Sequence, residues 1–170
     1  MASSELGLGL GSQTATDPLA QTKYMLAVAK GNIKRGASWF DWIAGLSVVN
    51  AVIAMAQGSI HFVIGLGITQ VVTELTRGGG AIGAGIGFAI ALAAAGFFIL
   101  MGHFTKQGQK WALIVGIVFY ALDALLVLVA QDWLALAFHA YALFMVAKAF
   151  PAISLYEQAK EQAAAQGIMV

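Results

Sequence analysis

Residues 111–150, WALIVGIVFYALDALLVLVAQDWLALAFHAYALFMVAKAF, decide the fold of this chain. They form two apolar runs, 111–130 and 133–150, separated only by Gln131 and Asp132. At roughly 1.5 Å per residue, each run is long enough to cross a hydrocarbon layer about 30 Å thick. So short a break makes them antiparallel neighbours. Asp123 on the first run and His139 on the second lie at nearly equal distances from the turn, about 10 Å inside the apolar layer. An ionisable group at such a depth costs about 2.5–3.5 kcal/mol on insertion scales, and by default it marks a pathway, a relay or a buried partner.

The rest of the composition agrees with a membrane setting. The chain has 170 residues, of which 60% are apolar and 10% charged, against roughly 25% charged in an average soluble domain. The expected fold is an all-α membrane protein, a four-transmembrane-helix bundle with an additional amphipathic or re-entrant helix between spans 1 and 2. A net charge of +1 leaves no footprint for nucleic acid. With no Cys, disulfides, thiol catalysis and Cys-ligated metals are excluded. Glu5 and the lack of a basic n-region argue against a cleavable signal peptide.

Residues 1–17 are Gly/Ser-rich and expected as a flexible N-terminal tail. Asp17 and Pro18 make a favourable helix start, and 18–35 follows as an amphipathic juxtamembrane helix. Its apolar stripe is Leu19, Leu26 and Ile33, while Lys23, Lys30, Lys34 and Arg35 are expected to face anionic headgroups.

The transmembrane bundle then occupies 37–150. Its first span, 37–56, has Trp39 and Trp42 at its entry, and Asp41 beside them is expected to pair with Lys34 or Arg35. Asn50 lies near the depth of Asp123. Residues 60–75 are apolar but short, with His61, Thr69, Thr73 and Arg77 along a polar face, which suits an interfacial or re-entrant segment.

Charge counting supports that assignment. If 60–75 does not cross, all nine Lys and Arg residues except Arg77 fall on one side. The positive-inside rule then places both termini in the cytoplasm, with the chain integral to the plasma (inner) membrane.

The second span, 81–102, carries Gly83 and Gly87, which share a face with Gly79 just before it, a spacing suited to close helix packing. Its GxGxxG-like start is no nucleotide site, because no strand precedes it. Pro151 is expected to end or kink the last span, and 151–170 forms a cytoplasmic C-terminal helix and tail.

Chemistry is thinly represented. Asp123 and His139, with Asn50 and Tyr120 nearby, form a candidate polar cluster inside the membrane, acting either as a hydrogen-bonded clasp or as a proton relay. No catalytic residues are assigned, because HExxH, DxD and P-loop patterns are absent. Only His61 with His139 would be placed to bind a haem. Asp123 and His139 lack a third metal ligand, so no cofactor or metal is expected.

The reading that follows is a non-catalytic accessory or structural subunit of a membrane complex or homo-oligomer. Its partners would be the lipid bilayer and other membrane protein subunits or itself. The alternative is a small oligomeric transporter or channel built on the level of Asn50, Asp123 and His139. A membrane enzyme is a further alternative.

Overall fold

The structure, a computed structural model, describes residues 18–55 and 66–167. Helix α1 spans Pro18–Met55 and α2 Gly67–Thr76. A 3-10 turn at Arg77–Gly79 leads to α3, Gly80–Lys106. Then come α4, Lys110–Val129, α5, Trp133–Ala147, and α6, Ala149–Ala165. Four helical stretches are long and apolar enough to cross a membrane: α1, α3, α4 and the run formed by α5 and α6. With no strand among the described residues, the chain is an all-α, four-span bundle.

The packing follows the physics of a lipid solvent. Large apolar side chains such as Ile90, Ile99, Leu122, Leu125 and Phe144 face outward, whereas Ala91, Ala95, Ala112, Ala135 and Ala142 are buried. Lipid tails solvate leucine as well as a protein interior does, so helices associate by close packing through small residues. Trp42 and Trp111 are exposed towards one end of the bundle and Trp133 at the other, as interfacial anchors. Between those ends α4, with 20 residues, covers about 30 Å.

Phe40 of α1 is the centre of the core and is fully buried. Its ring stacks on Phe98 of α3 at 6.0 Å. Gly116 of α4 leaves the space that ring occupies: a Cβ there would lie 2.7 Å from Phe40 Cε1. Gly102 of α3 admits the backbone of the same turn, since its Cβ would meet Phe40 Cβ at 3.1 Å. Three helices are thus locked around one side chain.

The residues read as a separate juxtamembrane helix, 18–35, are the first half of a continuous 38-residue α1. Leu26 packs with Ala159 and Ala163 of α6, and Ile33 belongs to the main core. Leu26 and Ile33 are therefore covered by protein, while Leu19 at the start of the stripe stays exposed. The helix passes Gly36 without a break because α6 lies against it there. A Cβ on Gly36 would come within 2.9 Å of Ala149 Cβ.

Asp41 pairs with Lys106 at the end of α3, not with Lys34 or Arg35. Those residues stand roughly two turns back along α1, beyond the i+4 reach of a helical ion pair. This contact, with the packing of α6 on α1, gathers the basic half of α1, the α3–α4 turn and α6 at one end of the bundle.

The last span breaks at Lys148, between α5 and α6. Pro151 has no N–H to donate to the carbonyl of Ala147, and its ring crowds that carbonyl, so the ladder is interrupted just upstream of the proline.

Helix α2 has 10 residues, about 15 Å, and does not cross. It lies against α3 and α4 within the bundle. Gly83 abuts the carbonyl of Thr76, and a Cβ on Gly87 would meet Thr76 Oγ1 at 3.4 Å, so both glycines seat the end of α2. Gly79 belongs to the 3-10 turn and has open space beside it. Because α3 starts at Gly80 with φ +57°, Gly79 is out of register with the other two. Residues 1–17 and 168–170, and 56–65 with His61, lie outside the described residues.

The α4–α5 turn closes α4 with two bonds of the Schellman type: Gln131 N–H donates to Leu128 O (3.0 Å) and Asp132 N–H to Val127 O (3.3 Å). Asp132 also caps α5, its Oδ1 accepting from Ala135 N–H at 3.0 Å. Gln131 sits at φ 57°, a left-handed conformation that favours glycine. The matching position after α3 is Gly108, at φ 82°. Gln131→Gly is expected to stabilise the chain by about 0.5–1 kcal/mol, read as a raised melting temperature in mild detergent.

Candidate functional site: a buried carboxylate clasp

Asp123 lies on the inner face of α4, with 6% of its surface exposed, and His139 on the facing side of α5 is fully buried. His139 Nε2 stands 2.9 Å from Asp123 Oδ2, and Nδ1 stands 2.7 Å from the carbonyl of Ala135. The equal depth expected from their spacing is realised as direct contact.

The carboxylate has two further partners. Gly67 N–H donates to Oδ2 at 2.7 Å and Ile68 N–H to Oδ1 at 2.8 Å. These belong to the first turn of α2, whose N–H groups have no acceptor within their own helix. Asp123 thus caps α2 from another helix, with its carboxyl oxygens at the positive end of the helix dipole. Close approach is essential here: a Cβ on Gly67 would stand 2.7 Å from Val127 Cγ2 and 3.0 Å from the carbonyl of Asp123.

Counting protons fixes the charge of the pair. The Ala135 carbonyl can only accept, so Nδ1 carries a hydrogen. One further proton lies between Nε2 and Oδ2. Wherever it rests, Asp123 and His139 together are neutral. A neutral, fully bonded pair is the form in which a low-dielectric interior tolerates ionisable groups.

The other members of the expected cluster divide. Tyr120, one turn before Asp123, stacks on the His139 ring with centroids 4.7 Å apart and planes 15° from parallel. It is buried, and its hydroxyl has no hydrogen-bond partner among the described residues. Tyr120 supports the imidazole with its face and does not extend a chain of polar atoms. Asn50 is half-buried on α1 and is not among the described partners of the carboxylate. Thr69 turns inward and donates to Leu66 O at 2.6 Å, which tightens the start of α2. Thr73 belongs to α2, and Arg77 opens the 3-10 turn.

The participants not expected from sequence are the N–H groups of Gly67 and Ile68. They carry no side-chain signature, and the residue that satisfies them lies 56 positions away in the chain. Both ring nitrogens of His139 are engaged in hydrogen bonds. Among the described residues, no group of three or more His, Cys, Asp or Glu side chains is placed to hold a metal ion.

No protein-family model matches the sequence, and searches of curated proteins and of solved structures returned no match.

Proposed function

We propose that this chain is a non-catalytic integral membrane subunit, assembling with a larger membrane complex or with copies of itself. The observation that carries this reading is the engagement of the Asp123–His139 pair inside the fold. Its hydrogen bonds join α4, α5 and the start of α2, and both carboxylate oxygens and both ring nitrogens take part in them. Transporters often aim the N-terminus of a half-helix at an anionic substrate. In this chain that position is filled by the chain's own carboxylate. Only 22% of the most apolar stretch of α3 is buried within the chain, which leaves a wide face for lipid or a second protein.

The membrane is the plasma (inner) membrane in this reading, with both termini cytoplasmic. Support comes from the end of the bundle that holds every Lys and Arg except Arg77. Lys23, Lys30, Lys34 and Arg35 there meet anionic headgroups. The chain has no native Cys, so single-cysteine variants report topology cleanly. In right-side-out cells, Gln131→Cys is expected to react with an impermeant maleimide and Gln162→Cys only after lysis. The opposite pattern reverses the orientation.

Native mass spectrometry after mild-detergent purification tests the subunit reading. A constant membrane partner at fixed stoichiometry, or a defined homo-oligomer, is expected. Proton or solute flux in proteoliposomes containing the purified chain alone, abolished by Asp123→Asn, would replace this reading with transport.

A further inference from the structure

A cavity of about 300 Å³ opens at the basic end of the bundle, away from the clasp. Lys30, Ile33 and Lys34 of α1 line one wall, Lys106, Gln107 and Gly108 at the α3–α4 turn another, and Tyr156 of α6 the third. The floor is apolar and the rim cationic. Lys30 Nζ lies 5.5 Å from the centre of the Tyr156 ring, held over its face. The same ring is 3.5 Å from where a Cβ on Gly108 would stand, so the glycine leaves room for it beside the turn.

Charge at the rim is not balanced. Asp41 neutralises Lys106. Lys30 and Lys34 have no carboxylate partner among the described residues, although they share a helix face at i and i+4. Two lysines facing a cavity with one ion pair already made leave room for an added anion. Exposed Trp42 and Trp111, one helical run further in, put this cavity at the level of lipid headgroups. Basic pockets between membrane helices on the cytoplasmic side suit phosphate-bearing headgroups.

We propose that the cavity between α1, the α3–α4 turn and α6 binds a phosphate-ester anion through Lys30 and Lys34. The ester is carried by an acidic phospholipid or supplied free. The proposal rests on the headgroup contact inferred above for α1 and narrows it from a diffuse surface to one site. The Tyr156 ring and Ile33 accept the apolar part of the ester, and the two ammonium groups donate hydrogen bonds to its oxygens.

The test uses the full chain, delipidated in mild detergent and titrated with phosphatidylglycerol or phosphatidylcholine, with bound lipid read by native mass spectrometry. Inorganic phosphate is added separately while the melting temperature is followed. Wild type is expected to prefer phosphatidylglycerol, and Lys30→Gln/Lys34→Gln to lose about tenfold or more of that affinity. Lys34→Arg should keep it, as should a Lys148→Gln/Lys160→Gln control outside the cavity. An unchanged melting temperature without ligand certifies that each variant is folded.

A phosphatidylglycerol preference without a response to phosphate identifies the lipid as the source. Phosphate protection of wild type but not of Lys30→Gln/Lys34→Gln, without lipid preference, identifies a free ester. Equal losses in the control and cavity variants would overturn the site while leaving the diffuse headgroup contact standing. No preference and no protection would overturn both.

Discussion

Replacing Asp123 with alanine is expected to lower the stability of the chain by about 3–5 kcal/mol, the cost of removing one partner from a buried, hydrogen-bonded ionisable pair. The substitution leaves Gly67 N–H, Ile68 N–H and His139 Nε2 facing a gap in the interior. Asparagine should behave differently. Its oxygen still accepts one N–H of α2, and its amide donates to a neutral His139 Nε2 whose other nitrogen keeps the bond to Ala135. One N–H of α2 is then orphaned, at a cost of about 1–3 kcal/mol. Unfolding in mild detergent should therefore rank wild type above Asp123→Asn and that above Asp123→Ala. Equal stability of all three would mean that the carboxylate is not structural.

The second large effect is expected at Gly116, far from any charge. A methyl group there falls inside the van der Waals envelope of the Phe40 ring. That ring is hemmed by Phe98 and by the backbone approach at Gly102, so it has little room to retreat. Gly116→Ala should destabilise the bundle by about 1–3 kcal/mol, the usual cost of overpacking. Phe40→Leu in the same chain should recover much of the loss, although Phe40→Leu alone opens a cavity and is itself destabilising. Such compensation is a coupling between contacting residues. Simple additivity of the two changes would contradict the packing described.

What could be read from the sequence follows from how local each cause is. The hairpin of α4 and α5 was legible because its two apolar runs meet at Gln131 and Asp132, and that symmetry also placed Asp123 opposite His139. Four spans and a non-crossing segment followed from length and charge. Other features have causes far off in the chain. The continuity of α1 through Gly36 depends on Ala149 lying against it. The pairing of Asp41 with Lys106 depends on α3 packing beside α1. The cap on the start of α2 comes from α4, far off in the chain. A glycine reads as a break or a packing surface according to its neighbours, and neighbours are tertiary information. This is why Gly83 and Gly87 seat α2 while Gly79 does not.

Together these residues describe a clasp. A carboxylate within the bundle ties a half-helix to it and shares one proton with a histidine. The most direct measurement is amide hydrogen exchange over Gly67–Thr76 in lipid nanodiscs, for wild type and for Asp123→Ala. If the carboxylate anchors α2, those amides are protected in wild type and exchange markedly faster in the variant, while α4 keeps its protection. Unchanged protection of α2 in the variant would contradict the clasp and return Asp123 to the role of a group poised for proton transfer.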